Sequence, residues 1–241
     1  MYKLVIILVV AFSLILSMCE NVPTTDNIDL QNGLVAYFPF NGNANDESGN
    51  GNDGIVKEAT LTQDRFGNAD SAYSFDGDGD HIDFPAAIGD ELSPTDAVSI
   101  SAWIKTDTVS QLKHVVDRLE TADGYGLAID DTGHARFSIN GGSARGTSAI
   151  IVDDNQWHHI SGSFDKNAGG NNEIIIYVDG VQSGTEDYSD PIDYTPEPRS
   201  EIGIRKDTLE YAFNGIIDDV RIYNRALNSD EVDALFKHEN H

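Results

Sequence analysis

An acidic residue interrupts the apolar pattern of a segment near the C-terminus. The segment Phe213–Leu227 reads FNGIIDDVRIYNRAL, and alternate residues of a β-strand point to opposite faces. If Ile216–Tyr223 is one regular strand, Asp218 shares a face with the apolar residues Val220 and Ile222. The other face then carries Ile217, Asp219, Arg221 and Tyr223. A carboxylate beside a core needs protonation, strong hydrogen bonds or a cation. In a chain with 41 Asp plus Glu residues, we expect Asp218 to bind calcium.

Two further groupings contain residue types that bind metals. The run Asp76–Asp80 reads DGDGD and resembles half of a calcium loop, but it lacks the downstream glutamate of an EF-hand. The simpler interpretation of this run is an acid-rich turn. The alternative is that it contributes ligands to the calcium site. His158 and His159 are adjacent, so on a strand they point to opposite faces and do not converge on one ion. We therefore expect a structural role for both histidines.

The charge of the chain restricts its partners. The 241 residues carry a formal net charge of −26, with 15 Lys plus Arg against 41 Asp plus Glu. Such a surface repels nucleic acid and anionic lipid headgroups. Because 39% of the residues are hydrophobic, the chain has enough apolar material for one sizeable core. We predict no nucleic-acid partner.

The N-terminus has the features of a secretion signal. Met1–Met18 carries Lys3 ahead of the uncharged run Leu4–Leu16, which suits a signal sequence and is short for a membrane span. Cys19, the single cysteine of the chain, follows in a context that resembles the lipobox of bacterial lipoproteins. We expect residues 1–18 to be removed and Cys19 to be lipidated; an ordinary secretion signal is the alternative. The polar residues 19–31 are interpreted as a tether.

These features predict a lipoprotein of the outer membrane or cell surface, held to the membrane by its lipid. The side of the membrane that it faces is left open. A single cysteine excludes a disulfide within the chain, so stability outside the cell must come from the core and from any bound metal.

Turn signals and short strands follow one another along the rest of the chain. Asn-Gly or Asp-Gly pairs recur from Asn32 to Asn214 and mark tight turns. Between them lie short runs of strand-forming residues: Leu34–Phe40, Ala72–Phe75, His81–Phe84, Val98–Lys105, Tyr125–Ile129, Ala135–Ile139, His158–Phe164, Ile174–Val178, Glu201–Ile204 and Ile216–Tyr223. This pattern indicates an all-β sandwich or barrel in one domain.

One helix is predicted near the C-terminus. Asn228 and Glu231 have the spacing of a capping box, and Leu227 and Val232 have that of a hydrophobic staple. The helix is short, and we expect its apolar stripe to pack on the sandwich.

Three aromatic residues are candidates for ligand contacts. Trp103 lies among polar residues on one face of the strand Val98–Lys105, where it either stacks on a sugar or covers the edge of the core. Tyr188 and Tyr194 lie in the proline-containing loop Tyr188–Arg199, which either binds a sugar or protein or merely crosses the sandwich.

The ordered motifs resemble a known family. They are Leu34–Gly51, Tyr73–Gly77 with His81–Phe84, Ser99–Lys105, Trp157–Ile160, Tyr177–Gly180 and Phe213–Leu227. In this order they are similar to the laminin-G-like jelly roll of the concanavalin A-like lectin and glucanase superfamily. The resemblance implies an all-β fold, an antiparallel jelly-roll β-sandwich with a short C-terminal helix, over residues 32–238.

The resemblance also implies a structural calcium ion where the first strand meets the last. Asp218 is the matching aspartate, with Asn41 and Asp46 as candidates from the N-terminal loop. Gly77 or Asp78 could contribute a carbonyl oxygen. Waters must complete the six to eight oxygens that calcium takes.

The catalytic motif of the superfamily's hydrolases, Glu-x-Asp-x-x-Glu, does not occur in this chain. The nearest acidic pair, Glu120 and Asp123, lies beside a turn signal. We therefore predict a non-catalytic binding module, for glycan binding or adhesion. A module that binds envelope or extracellular proteins is the first alternative, and a glycoside hydrolase with atypical carboxylates is the second.

Overall fold

The computed structural model describes residues 28–84, 91–107, 109–120, 123–194, 200–205 and 211–238. The strands in chain order are β1 (Leu34–Phe38), β2 (Ile55–Lys57), β3 (Thr60–Thr62), β4 (Ala72–Asp76), β5 (His81–Asp83), β6 (Ala97–Lys105), β7 (Lys113–Glu120), β8 (Asp123–Ile129), β9 (His134–Ile139), β10 (Ala144–Ile151), β11 (Trp157–Asp165), β12 (Ile174–Val178), β13 (Val181–Glu186), β14 (Glu201–Ile202) and β15 (Asn214–Tyr223). One α-helix, α1, spans Ser229–His238. The predicted signal peptide and Cys19 lie outside the described residues.

The strands form two antiparallel sheets. Sheet A has the order β13-β12-β11-β6-β15-β4-β3, with β1 paired to β15, and sheet B has the order β10-β9-β8-β7-β14-β5-β2. Each sheet combines a run of consecutive strands with pairs that are distant in sequence, such as β6 beside β15 and β7 beside β14, as is typical of a jelly roll. The predicted jelly-roll sandwich is therefore confirmed.

The core lies between the sheets. Val98, Ile100 and Ile104 of β6 point inward and meet the inward side chains of sheet B. At Gly162 of β11 the packing leaves no room for a side chain, because a Cβ there would lie 2.2 Å from Cγ of Phe137. The glycine thus lets the Phe137 ring of sheet B lie directly against the backbone of sheet A.

Five strands were not predicted from the sequence. Four of them, β2, β3, β10 and β13, are the edges of the two sheets, where the segments are short or lack a clear alternation of apolar and polar residue types. The fifth, β7, is internal, but His114 and Asp117 occupy its outward positions. Because these two residues are polar, the segment lacks the apolar pattern from which a strand is predicted.

A β-bulge in β15 corrects the expected faces of that strand. Ile217 pairs with Ile104 and Asp218 with Trp103, but the register shifts before Arg221 pairs with Ser101. Asp219 has φ +47° at this shift. Because the bulge adds a residue, Val220 points into the core while Asp218 points to the outer face of sheet A. The segment is one strand, as expected, but the expected placement of Asp218 on the same face as Val220 and Ile222 was wrong.

Helix α1 packs on the outer face of sheet A. Asn228 Oδ1 accepts the N–H groups of Asp230 and Glu231, and Glu231 Oε2 accepts the Asn228 N–H, so the predicted capping box is present. Val232 and Leu235 pack in a cluster that also includes the following residues of the sandwich: Leu34, Tyr177, Tyr223 and Leu227. Within the described ranges, no helix has the length and apolar character needed to cross a membrane.

Candidate functional site

One row of residues crosses the outer face of sheet B. From β10 to β2 the strand register aligns Arg145, Ser138, Gly126, Asp117, Glu201, Asp83 and Ile55. Their neighbours along the strands, such as Val116 and Ile202, belong to the core. Because side chains alternate across a strand, this transverse row points away from the core.

The middle of the transverse row has a floor without large side chains. On β8 the outward positions are Gly126 and Ala128. A Cβ on Gly126 would lie 3.1 Å from Asp117 Oδ1 and 3.0 Å from Leu119 Cδ1. The carboxylate of Asp117 thus lies directly beside the Gly126 backbone, and both Gly126 and Ala128 are buried.

Asp117 and His114 are buried polar groups without hydrogen bonds. Asp117 is 1% exposed and His114 is 2% exposed. Asp117 Oδ1 lies 2.9 Å from His114 Nδ1, yet the contact lacks the alignment of a hydrogen bond, and both carboxylate oxygens and both ring nitrogens are unsatisfied. Tyr211 lies beside the His114 ring, with 6.0 Å between ring centroids. Unsatisfied buried polar groups are costly, so this pair is well suited to hydrogen bond with a bound molecule.

Glu201 and Asp83 extend the acidic part of the transverse row. Glu201 is buried between Asp117 and Asp83, on a strand that pairs with both of theirs. Paired strands lie about 4.8 Å apart, so three carboxyl groups occupy neighbouring positions. His81 faces Asp83, with Nε2 3.5 Å from Oδ1.

A second polar site is a cleft of about 280 Å³ at the bulge of β15. Arg65 Nη1 lies 2.5 Å from Asp218 Oδ2, and Arg65 Nη2 lies 2.7 Å from Asp219 Oδ2. The Asp219 N–H donates to Asp218 Oδ1, and the Tyr37 hydroxyl donates to Asp219 Oδ1. The carboxylate that appeared to require calcium is therefore held by an arginine and a backbone N–H.

Burial and the Arg65 charge shift the pKa of the Asp218 carboxyl in opposite directions. Burial, assisted by the adjacent Asp219 charge, raises the pKa of Asp218 to about 8, while Arg65 lowers it. Arg65 is shared by both carboxylates and Asp219 also has Arg221 at 3.9 Å, so Asp218 is the acid that more readily keeps its proton. Burial likewise raises the pKa of the Tyr37 hydroxyl.

The predicted calcium ligands do not come together as one set. Asn41 shares the Arg65 cleft with Asp218. The Asp46 carboxylate instead accepts hydrogen bonds from its own loop and from β1; the donors are the N–H groups of Tyr37, Ser48 and Asn52 and the Ser48 hydroxyl. Gly77, next to Asp78, lines a different cleft.

Across the described ranges, no group of three or more acidic, histidine or cysteine side chains could hold a metal ion. The predicted ligands are therefore divided between two clefts and the Asp46 loop. Calcium binding by the chain stays a prediction.

The three aromatic candidates all make contacts within the protein. Trp103 is only 3% exposed and stacks on Phe236 of α1, with 5.6 Å between ring centroids. Tyr188 and Tyr194 are partly buried against the core. The Tyr188 hydroxyl accepts from Asn140 Nδ2, and the Tyr194 hydroxyl donates to the carbonyl of Pro94. Trp103 is therefore enclosed between sheet A and α1, whereas both tyrosines keep part of their surface exposed, and ligand contact by these residues stays a prediction.

The adjacent histidines behave as expected. His158 Nδ1 lies 2.9 Å from Asp179 Oδ2, and this hydrogen bond raises the pKa of His158. His159 lies on the opposite face of β11, where burial lowers its pKa to about 3.

Sequence reasoning missed the transverse row. Asp117, Glu201 and Arg145 lie on three strands that are far apart in the chain, and only the register aligns them. One signal was available in the segment of β7: Asp117 lies between the apolar pair Val115–Val116 and Leu119. That pattern is typical of a strand with an acid on its outward face.

The two stacked antiparallel sheets define a jelly-roll sandwich of the lectin type. A profile of the Laminin_G_3 family, described as the concanavalin A-like lectin/glucanases superfamily, matches residues 75–233. The chain therefore belongs to this superfamily. No curated protein matches the chain.

Solved structures share the fold at low sequence identity. A binding domain of botulinum neurotoxin DC, in complex with SialylT, superposes with a TM-score of 0.67 at 14% identity, covering 87% of this chain and 52% of that one. Domain 4 of AbnA, an extracellular arabinanase from Geobacillus stearothermophilus in complex with arabinotriose, superposes with a TM-score of 0.64 at 19% identity, covering 84% and 97%. The chain thus spans about half the length of the toxin domains and nearly all of the arabinanase domain.

Proposed function

We propose that the chain is a non-catalytic module that binds a saccharide on the outer face of sheet B. The observation that carries the proposal is the buried Asp117–His114 pair, whose hydrogen-bonding atoms are unsatisfied beside the floor at Gly126. A carboxylate accepts hydrogen bonds from sugar hydroxyls, and a neutral imidazole can donate one and accept one. A few convergent polar groups of this kind are typical of a small-molecule site.

Ligands of the structural neighbours support this proposal. The arabinanase domain was solved with arabinotriose, and a botulinum binding domain with N-acetylneuraminic acid. Another botulinum binding domain was solved with rat synaptotagmin II, a protein. We prefer a saccharide because the unsatisfied atoms of Asp117 and His114 are few and buried, which suits a small ligand better than a broad protein surface. Capture of an envelope protein without competition by sugars would favour the protein alternative.

A second candidate function is favoured by the acidic part of the transverse row. Two carboxyl groups about 5–5.5 Å apart suit a retaining glycosidase, and about 6.5–9.5 Å suits an inverting one. Glu201 and Asp117 lie on paired strands, about 4.8 Å apart at the backbone. Release of reducing sugar from a bound oligosaccharide, lost in Glu201→Gln, would establish this activity and replace the non-catalytic proposal.

The test of saccharide binding is a glycan array on the full chain, followed by calorimetric titration of each hit. Asp117→Asn keeps the side-chain shape but removes the charge, and we expect binding at least about tenfold weaker, as for loss of a charged hydrogen bond. Asp190→Asn is the matched control, since Asp190 is exposed and lies outside both sheets. An array without hits, or equal affinities for Asp117→Asn and the unaltered chain, would contradict the proposal.

We also propose that the chain acts on the cell envelope, anchored by a lipid on Cys19. The support is the sequence of residues 1–19. Mass spectrometry of the N-terminal peptide should show acyl chains on Cys19, and Cys19→Ala should release the protein from membranes. An unmodified mature N-terminus at another residue would overturn the proposal.

A further inference from the structure

Two arginines converge at the β10 end of the transverse row. A Cβ on Gly142, in the turn between β9 and β10, would lie 2.7 Å from Arg145 Nε and 3.2 Å from Arg136 Nη2. Both guanidinium groups thus approach one point, and Gly142, with φ +89°, provides the space for them.

The charges of these arginines are not balanced by ion pairs. Arg136 Nε donates to the neutral hydroxyl of Ser138. Within the part of the chain that the structure describes, no carboxylate forms a salt bridge with Arg136 or Arg145. Asp130 and Asp131 act on Arg136 only at longer range, while burial and Arg145 lower the pKa of Arg136.

Such an arrangement is unexpected for a chain with this composition. With 41 acidic residues against 15 basic ones, an arginine has many carboxylates available to it. Two guanidinium groups held together without a carboxylate repel each other, and an anion bound between them offsets this electrostatic repulsion. A planar guanidinium also matches a carboxylate or sulfate through paired hydrogen bonds.

The arginine pair belongs to the same face as the proposed saccharide site. Arg145 pairs with Ser138, which continues through Gly126 to Asp117 in the transverse row. Arg145 and Asp117 are three strands apart, and each strand spacing is about 4.8 Å. A saccharide over the Gly126 floor therefore has carboxylates at one end and guanidinium groups at the other.

We infer that the saccharide bound by this face is acidic. Its carboxylate or sulfate group binds between Arg136 and Arg145, and its neutral hydroxyls reach Asp117 and His114. This inference rests on the proposed saccharide binding and adds the chemical class of the ligand.

The experiment compares matched sugars by titration calorimetry on the full chain. One pair is an oligogalacturonide and its methyl ester; the other is a sulfated galactan oligosaccharide and its desulfated form. We expect at least one acidic form to bind about tenfold or more tightly than its neutral partner, as for a charged hydrogen bond. The preference should weaken as salt rises from about 0.15 M to about 1 M, where the Debye length falls to about 3 Å.

Arg145→Gln should abolish the preference for the acidic sugar while leaving the neutral sugar unaffected, and Arg136→Gln should do the same. Lys57→Gln is the matched control, because Lys57 is an exposed cation on β2, at the opposite edge of sheet B. Arg145 is itself exposed, so its substitution does not threaten the fold.

The outcomes separate this inference from the proposed function. Equal affinity for the acidic and neutral forms of both pairs would overturn the acidic ligand while saccharide binding stands. A preference that survives Arg145→Gln and Arg136→Gln would overturn the role of the arginine pair. Absence of binding by any sugar would overturn both proposals.

Discussion

Arg65→Met removes the cation that holds Asp218 and Asp219. The Arg65 side chain is 7% exposed and that of Asp218 is 2% exposed, so the substitution leaves a buried carboxylate without its cation. Asp219 retains the Tyr37 hydroxyl and, at 3.9 Å, Arg221. The uncompensated charge therefore falls on Asp218. Removing one partner of a buried ion pair costs about 3–5 kcal/mol of unfolding free energy.

The loss of unfolding free energy caused by Arg65→Met should depend on pH. The pKa of Asp218 is raised to about 8 in the folded chain from 3.8, so between these values the folded state binds a proton that the unfolded state has released. A group of this kind contributes stability at low pH that is lost as the pH rises toward the folded pKa. Without Arg65 the pKa of Asp218 rises further, so Asp218 of the variant keeps its proton at pH 5 and still largely keeps it near pH 8.5, where Asp218 of the unaltered chain is ionised and paired with Arg65. We expect a loss of about 1–2 kcal/mol at pH 5, from the lost cation–π contacts with Phe66 and Trp103, and a larger loss near pH 8.5 that continues to grow as the pH rises.

The assay is urea unfolding at both pH values, followed by tryptophan fluorescence, because Trp103 lies against Arg65. Lys237→Met is the control: its pair with Asp233 is exposed on α1, and we expect a change of about 0.5 kcal/mol or less. Arg65→Met combined with Asp218→Asn should recover most of the loss. Equal losses at the two pH values, or no recovery in the double variant, would refute the charge argument.

Three further predictions follow from the fold and the clefts. If calcium stabilises the chain, a chelator lowers the melting temperature. Because Arg65 holds Asp218, we expect the chelator to lower the melting temperature of Asp218→Asn by the same amount. If the chelator has no effect on Asp218→Asn, the calcium site predicted from the sequence is supported after all. Gly162→Ala places a Cβ 2.2 Å from the Phe137 ring and should destabilise the chain by about 1–3 kcal/mol through overpacking, measured by urea unfolding; an unchanged midpoint would contradict the packing. Asn228→Ala removes the acceptor of two N–H groups at the start of α1 and should cost about 1 kcal/mol, whereas Asn228→Asp should cost little in the same measurement.

Local features of the sequence predicted the elements whose stability is local. The capping box at Asn228 and Glu231 located the start of α1 because both partners lie within one turn. The alternating pattern of Val98–Lys105 predicted a strand with one buried face, and β6 is central in sheet A with that face in the core. The ordered motifs indicated the superfamily, and with it the jelly roll. Edge strands escaped prediction because their burial comes from neighbours elsewhere in the chain.

The acid at position 218 shows what the sequence determined and what tertiary structure decided. The sequence established that Asp218 is a carboxylate within an apolar strand and needs compensation. Only the tertiary structure decided the partner, because the bulge at Asp219 turns Asp218 outward to Arg65, which is 153 residues away in the chain. The same holds for the transverse row: residue types are local, but the alignment of Asp117, Glu201 and Arg145 depends on inter-strand register, which long-range hydrogen bonds and core packing determine.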